Sequence, residues 1–353
     1  MTSGSLAGTC LLLTLLCFAP ASTFSQGVIR TVEVPAPSLR GNLVGDPATR
    51  AASIYLPPSY SRQPNRRFPV LYLLHGFAAD HRAFIAGAYQ NLNVRLSMDS
   101  LVGAGKVREM IVVTPDARNR FDGSFYTNSP TTGRWEDFVA RDLVDYMDRH
   151  FRTIPRAESR GLSGHSMGGY GALHVGMRNP RVFSAIYAMS ACCLSSGWTR
   201  AGNRSAAWKR TLAVTDTSQI RSAGFIPNVL MALSAAYSPN PLRPALYVDY
   251  PFRLDADTLV PIPSVIARWV APLERVEAHA ASLRLLQIGF DAGSRDGFPD
   301  IPVNARLLND QMTRLGIAHF YEEYDGTHGG RVRERLERVV LPFFSSRLKH
   351  PRR

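Results

Sequence analysis

Gly161-Leu-Ser-Gly-His-Ser-Met-Gly-Gly-Tyr-Gly-Ala172 is the stretch on which the reading of this chain turns. Inside it, Gly164-His165-Ser166-Met167-Gly168 has the G-x-S-x-G spacing of a nucleophile elbow, where a strand turns so tightly into a helix that small residues must flank the serine. The five-residue pattern alone is weak, because three fixed positions recur by chance. Its surroundings strengthen it: Glu158 to Ser163 suits a strand, and Met167 to Met177 suits a glycine- and alanine-rich helix stopped by Asn179-Pro180. Ser166 is then expected to stand exposed at the turn. The competing reading is an ordinary Gly/Ser turn before a helix.

Outward from the elbow, strand and helix patterns alternate. Val28 to Val34 and Ala51 to Leu56 are β-prone and separated by Pro and Gly turns, an antiparallel start to a sheet. Phe68 to Leu74 and Met110 to Thr114 are continuous apolar runs, the mark of strands covered on both faces. Helices are expected over Ala83 to Met98 and Glu136 to Phe151, and a strand over Val182 to Met189. After a break, the alternation resumes with strands at Leu285 to Phe290 and Ala318 to Tyr324 and helices near Val303 to Leu315 and Arg331 to Arg347. This alternation predicts an α/β fold, a mostly parallel central sheet with helices on both faces. The break, residues 194–280, carries Trp198, Trp208, Trp269 and several prolines with no steady period. A structureless connection of that length is improbable in one domain, so it reads as a largely helical insertion capping the sheet's carboxyl edge.

Composition sets the outer bounds. With 353 residues and 45% apolar content the chain can bury a large core, which excludes a disordered protein. Residues 1–21 hold the apolar run Leu11 to Phe18 and then Ala19-Pro20-Ala21, the pattern of a secretory signal with its cleavage site, too short to span a bilayer. Export to the periplasm or beyond is the expectation, with residues 28–353 as the mature α/β domain. Cleavage leaves only Cys192 and Cys193, and adjacent α-carbons about 3.8 Å apart make a strained disulfide, so no disulfide framework is expected. The net charge of +13 favours contact with anionic envelope or polysaccharide. The arginines are dispersed and no nucleic-acid module is present, so nucleic acid is not an expected partner.

A serine hydroxyl becomes a nucleophile when a histidine, itself held by a carboxylate, takes its proton. The chain offers these residues in the order Ser, Asp, His. His328, in Tyr324-Asp-Gly-Thr-His-Gly-Gly330, follows the last proposed strand and is the candidate base. The acid lies in Asp291-Ala-Gly-Ser-Arg-Asp-Gly-Phe-Pro-Asp300, where Asp291 would end a strand, Asp300 lies far along the loop, and Asp296 is preferred. This loop departs from the EF-hand pattern, and no metal or cofactor is expected. The oxyanion requires two backbone donors. Met167 N–H follows the nucleophile, and Phe77 N–H, after His75-Gly76, is the choice for the second. Tyr126, Trp135 and Arg120 are candidate pocket residues near the sheet's carboxyl edge, against the competing reading that the aromatics close loops over the core.

Leu73-Leu74-His75-Gly76, Asp122-Gly-Ser-Phe-Tyr-Thr-Asn-Ser129, Trp135-Glu-Asp-Phe138 and the Ser166-Met-Gly-Gly segment together resemble the esterase D / putative esterase family of the α/β-hydrolases, which holds S-formylglutathione hydrolases, feruloyl esterases and antigen 85-like mycolyltransferases. Asp291-Ala-Gly-Ser-Arg-Asp296 is similar to the family's D-x-G-x-x-D, whose last residue is the acid, and this selects Asp296. Residues 194–280 have no match in the resemblance. What it implies is a serine carboxylesterase without a cofactor, acting on a small or glycan-linked ester, and the pattern of residues 1–21 makes it an exported one. Two alternatives stand beside it: an acyltransferase using the same three residues, and a non-catalytic protein that binds glycan or envelope on an esterase-like fold.

Overall fold

The computed structural model describes residues 26–350 together with residues 1, 2 and 4. Most of the stretch read as an export signal therefore lies outside the described residues. Among the described residues no helix is long and apolar enough to cross a membrane.

Eight strands form one sheet. They are β1 (Val28–Pro35), β2 (Thr49–Leu56), β3 (Val70–Leu74), β4 (Ile111–Pro115), β5 (Arg160–His165), β6 (Ala185–Met189), β7 (Gln287–Gly293) and β8 (His319–Tyr324). Their spatial order is β1-β2-β4-β3-β5-β6-β7-β8. β2 is antiparallel to both of its neighbours, and every pair from β4 to β8 is parallel. This is the mostly parallel sheet that the alternating pattern predicted.

The apolar runs place residues on both faces in turn. In β3, Val70, Tyr72 and Leu74 join one core cluster while Leu71 and Leu73 join the other, and all five are fully buried. A strand whose side chains alternate between two buried faces needs apolar residues at every position, which is why Val-Leu-Tyr-Leu-Leu reads as a continuous run. Helix α1 (Val94–Gly103) packs with the second cluster. Helix α2 runs through Trp135–Asp137, a wider π turn at Phe138–Asp142, and Leu143–His150. It lies with the elbow helix α3 (Met167–Arg178) on the first face.

The helix expected over Ala83 to Met98 is corrected. Gly87, Gln90 and Asn91 all have left-handed φ, so residues 83–91 form turns, and α1 begins only where the Asn93 side chain accepts the N–H groups of Arg95 and Leu96.

Residues 194–280 contain helices α4 (Ser205–Leu212) and α5 (Phe225–Tyr237), several short helical turns, and a hairpin of Phe252–Asp255 with Thr258–Pro261 that the sequence did not reveal. Trp208 and Trp269 stack edge to face at 6.0 Å inside this segment, and both are buried. The chain then returns through β7, α6 (Asp300–Arg314), β8 and the carboxyl-terminal helix α7, which comprises Val332–Arg335, a π turn at Leu336–Val340, and Leu341–Arg347.

Candidate active site

Ser166 sits between β5 and α3 with φ 58° and ψ −116°, a conformation that a non-glycine residue adopts only when its surroundings hold it there. Three backbone bonds do so. Its N–H donates to Met189 O at 3.0 Å, and its carbonyl accepts from Tyr170 N at 2.9 Å and from Cys192 N at 3.3 Å. The flanking glycines are steric necessities. A Cβ on Gly164 would overlap the Gly168 backbone, and one on Gly168 would overlap the carbonyl of Leu74 in β3. Strand, turn and helix thus approach within backbone contact, and Ser166 remains partly exposed at the tip.

The loop after β8 brings His328 to this serine, with Nε2 3.0 Å from Ser166 Oγ. On the ring's other side Nδ1 is 2.7 Å from Asp296 Oδ2. The Asp296 side chain is closed to solvent, and its second oxygen accepts the Phe298 N–H at 2.8 Å. An acceptor-only carboxylate at Nδ1 fixes the proton there, leaving the Nε2 lone pair for the serine O–H. The three residues read from the sequence therefore form one hydrogen-bonded line. The arrangement can remove a proton from Ser166 and hold the imidazolium that results.

Asp291, the other acid considered, is engaged elsewhere. Its Oδ2 accepts from Arg335 Nε and from Tyr187 Oη, each at 2.9 Å, tying α7 to the sheet. Burial pushes its carboxyl up to about 6 even with Arg335 beside it. Asp300 is ion-paired with Arg204 of the insertion.

Met167 opens α3, where the first N–H has no partner within the helix, and Phe77 N–H follows β3 beside it. Among the described residues neither amide donates to the backbone, whereas the next one, Ala78 N–H, bonds Asp122 O at 2.9 Å. A Cβ on Gly123 would strike both the Phe77 ring and Met167 Sδ, so the Asp122-Gly123 turn packs against the side chains of both residues together. His75 secures the same loop: it is buried, its Nδ1–H donates to Gly76 O, and its Nε2 accepts the Ala117 N–H, each at 2.8 Å. Burial pushes its imidazole below the ordinary histidine range.

Two of the expected pocket residues are corrected. Tyr126 and Trp135 have no exposed surface. Tyr126 Oη donates to His75 O at 2.9 Å and Trp135 Nε1 to Thr132 O at 2.8 Å. Both aromatics close loops over the core because each polar tip finds a carbonyl there. Arg120 is exposed and lines a cavity between the body and the insertion.

Sequence reasoning missed three neighbours of the site. His165 is buried against His328, with ring centroids 4.7 Å apart, and its Nε2–H donates to His328 O at 2.7 Å. Burial first, and then His328, pushes its imidazole down to about 3, so it stays neutral. Phe298, in the acid's own loop, meets the His328 ring edge to face at 5.1 Å. Phe225, at the start of α5 and 51% exposed, spans from Phe298 (6.0 Å) to Phe77 (5.6 Å). His165 occupied a variable position of the motif, and Phe225 lay in the segment without period, so neither gave a signal of its own. Among the described residues no group of three or more His, Cys, Asp or Glu side chains is placed to hold a metal ion, and Cys192 and Cys193 are unpaired.

Solved structures share this architecture. A ferulic acid esterase is 24% identical, covering 91% of this chain and 98% of its own, with a TM-score of 0.61. An S-formylglutathione hydrolase from Agrobacterium tumefaciens is 17% identical, with coverages of 92% and 97% and a TM-score of 0.60. A feruloyl esterase module from Clostridium thermocellum, solved with sinapinate, is 15% identical, with both coverages 95% and a TM-score of 0.54. The sheet is thus that of the α/β-hydrolase fold. The family model described as "Putative esterase" matches residues 47–332, which take in the elbow, the acid loop and the histidine loop alike. The chain belongs to the putative esterase family.

Proposed function

We propose that this esterase hydrolyses a carboxylic ester through an acyl-enzyme on Ser166. His328 Nε2 takes the Ser166 proton as Oγ attacks the ester carbonyl, and the charge on the carbonyl oxygen is met by the N–H groups of Phe77 and Met167. His328 returns the proton to the leaving alcohol, then activates water to release the acid. Asp296 keeps the imidazole in the required tautomer and stabilises its charged form. The observation that carries the reading is the single line from Ser166 through His328 to Asp296, at 3.0 Å and 2.7 Å.

The rings of Phe77, Phe225 and Phe298 around the histidine support an apolar, flat acyl group, in keeping with the sinapinate bound by the clostridial neighbour. We also take the enzyme to act outside the cytoplasm, on the pattern of residues 1–21. The test is hydrolysis of p-nitrophenyl acetate, p-nitrophenyl butyrate and methyl ferulate by the parent and by Ser166→Ala. Turnover by the parent with loss in the variant is the expected result; equal rates in the two proteins would refute the role of Ser166.

A further inference from the structure

The amino edge of the sheet carries a concentration of charge that the chemistry at Ser166 does not use. β3, β4 and β5 begin there, and the end of α7 lies across it. Arg108, before β4, donates to the carbonyls of Ser345 and Leu348, and Lys349 N–H donates to Glu158 O, before β5. A cavity of about 620 Å³ opens at this junction, with Arg66, Arg67, Arg156, Glu158 and Lys349 on its walls.

Most of these cations have no carboxylate partner. Arg66 pairs with Glu109 at 2.7 Å, but Arg67 holds only the Thr153 carbonyl, at 2.9 Å. Arg156 and Lys349 are exposed, and their side chains have no partner among the described residues. Two further arginines extend the patch on carbonyls alone. Arg108 does so on α7, and Arg152 donates to Tyr60 O and Pro64 O with its guanidinium 3.9 Å over the Tyr60 ring. Arg160, next in line, is neutralised by Asp148. Six cations thus face only Glu109 and Glu158. His350, half-buried at the rim, senses the same field: burial first, and then Arg108 and Arg66, push its imidazole down to about 4.

The patch lies away from the site. Ser166 follows the carboxyl end of β5, and the patch lies before its amino end, about 17 Å away along the strand. Gly27 is at the amino edge as well, because Val28 pairs with Leu56 and β2 runs antiparallel to β4. The apolar run of residues 11–18 therefore joins the body on the side of the patch. On the reading of residues 1–21 as a secretory signal, this is the edge turned to the membrane during export. That favours a bilayer over a free polyanion as the partner.

We propose that the amino edge of the sheet docks on an anionic phospholipid surface, its arginines and Lys349 against headgroup phosphates, which leaves the Ser166 side facing solution. Arginine suits phosphate because its planar fork can donate two N–H groups at once. A cluster of about four to eight cations is of the size that holds a protein on such a surface. The docking surface is separate from the esterase chemistry and does not depend on it.

The experiment is co-sedimentation of the full-length protein with vesicles of phosphatidylcholine alone and of equal parts phosphatidylcholine and phosphatidylglycerol, at low and high salt. Tighter partition to the anionic vesicles is the expected result, with the difference lost at high salt, where the charges are screened. Arg156→Gln with Lys349→Gln, which break no side-chain contact, should weaken that partition about 25-fold, about fivefold for each cation. Arg200→Gln with Arg210→Gln remove the same charge from exposed positions of the insertion and should weaken it by less than about fivefold. Thermal melts verify that both double variants fold. Equal partition to the two kinds of vesicle, an equal loss in the two double variants, or tighter retention on polygalacturonate than on the anionic vesicles would each overturn the proposal.

Discussion

Asp296→Asn separates orientation of the base from its mere presence. In the parent, Asp296 Oδ1 accepts the Phe298 N–H at 2.8 Å and Oδ2 accepts His328 Nδ1–H at 2.7 Å, with the side chain closed to solvent. Asparagine has one acceptor oxygen for these two donors. If that oxygen stays on Phe298, its NH₂ faces His328 and forces the ring proton onto Nε2, where it points at Ser166 and cannot take a proton. If the amide turns over to restore the tautomer, its NH₂ faces the Phe298 N–H and both groups lose a partner, at about 1–3 kcal/mol. In either orientation the imidazolium loses its carboxylate counter-charge, at about 2–3 kcal/mol. The sum, about 3–6 kcal/mol, corresponds to a fall in kcat of about 10²–10⁴-fold. The assay is kcat for p-nitrophenyl acetate from pH 6 to 9, beside circular dichroism to verify the fold. A folded variant retaining more than a tenth of parental kcat would refute the reasoning.

Further outcomes follow from the neighbours of the site. Arg335→Leu leaves Asp291 buried without its cation, which costs about 3–5 kcal/mol, and Asp291→Asn in the same chain should return most of it; urea midpoints of the two variants read this, and a double variant no more stable than the single would contradict it. His165, at about 3 when folded, binds its proton only in the unfolded chain between about 6.5 and 3, so stability falls as pH is lowered through that window. His165→Gln keeps a donor toward His328 O without titrating and should flatten the pH dependence, whereas parallel curves for parent and variant would show that His165 is not its source. Gly123→Ala drives a methyl group against Phe77 and Met167 and should lower kcat by about 10²-fold, the loss of one oxyanion donor, with a much smaller change in KM; a change confined to KM would argue that the Asp122-Gly123 turn does not set the donors.

The sheet was legible in the sequence because its strands are buried on two faces, so that Phe68 to Leu74 and Met110 to Thr114 are apolar throughout. The elbow was legible because backbone contact between β5, α3 and β3 admits only glycine at positions 164 and 168. His328 could be placed because it follows a strand at the carboxyl edge, whereas Asp296 was singled out among the three carboxylates of its loop by the resemblance of Asp291 to Asp296 to the family's D-x-G-x-x-D. Tyr126 and Trp135 stayed open between pocket and core because sequence does not say whether an aromatic ring near a cleft faces it or plugs the core behind it, and the structure places both in the core. The false helix over Ala83 to Met98 came from composition, and left-handed turns at Gly87, Gln90 and Asn91 overrode it. Phe225 was invisible for another reason: its partners, Phe77 and Phe298, lie far away in the chain, and only the folded insertion brings the three rings together.

The central claim, that Ser166 is the acylated nucleophile, is met most directly by intact-mass analysis after a fluorophosphonate probe, followed by mapping of the labelled peptide. One probe per chain, located on Ser166, and no label on Ser166→Ala are the expected results. A label on another residue, or equal labelling of the variant, would contradict it.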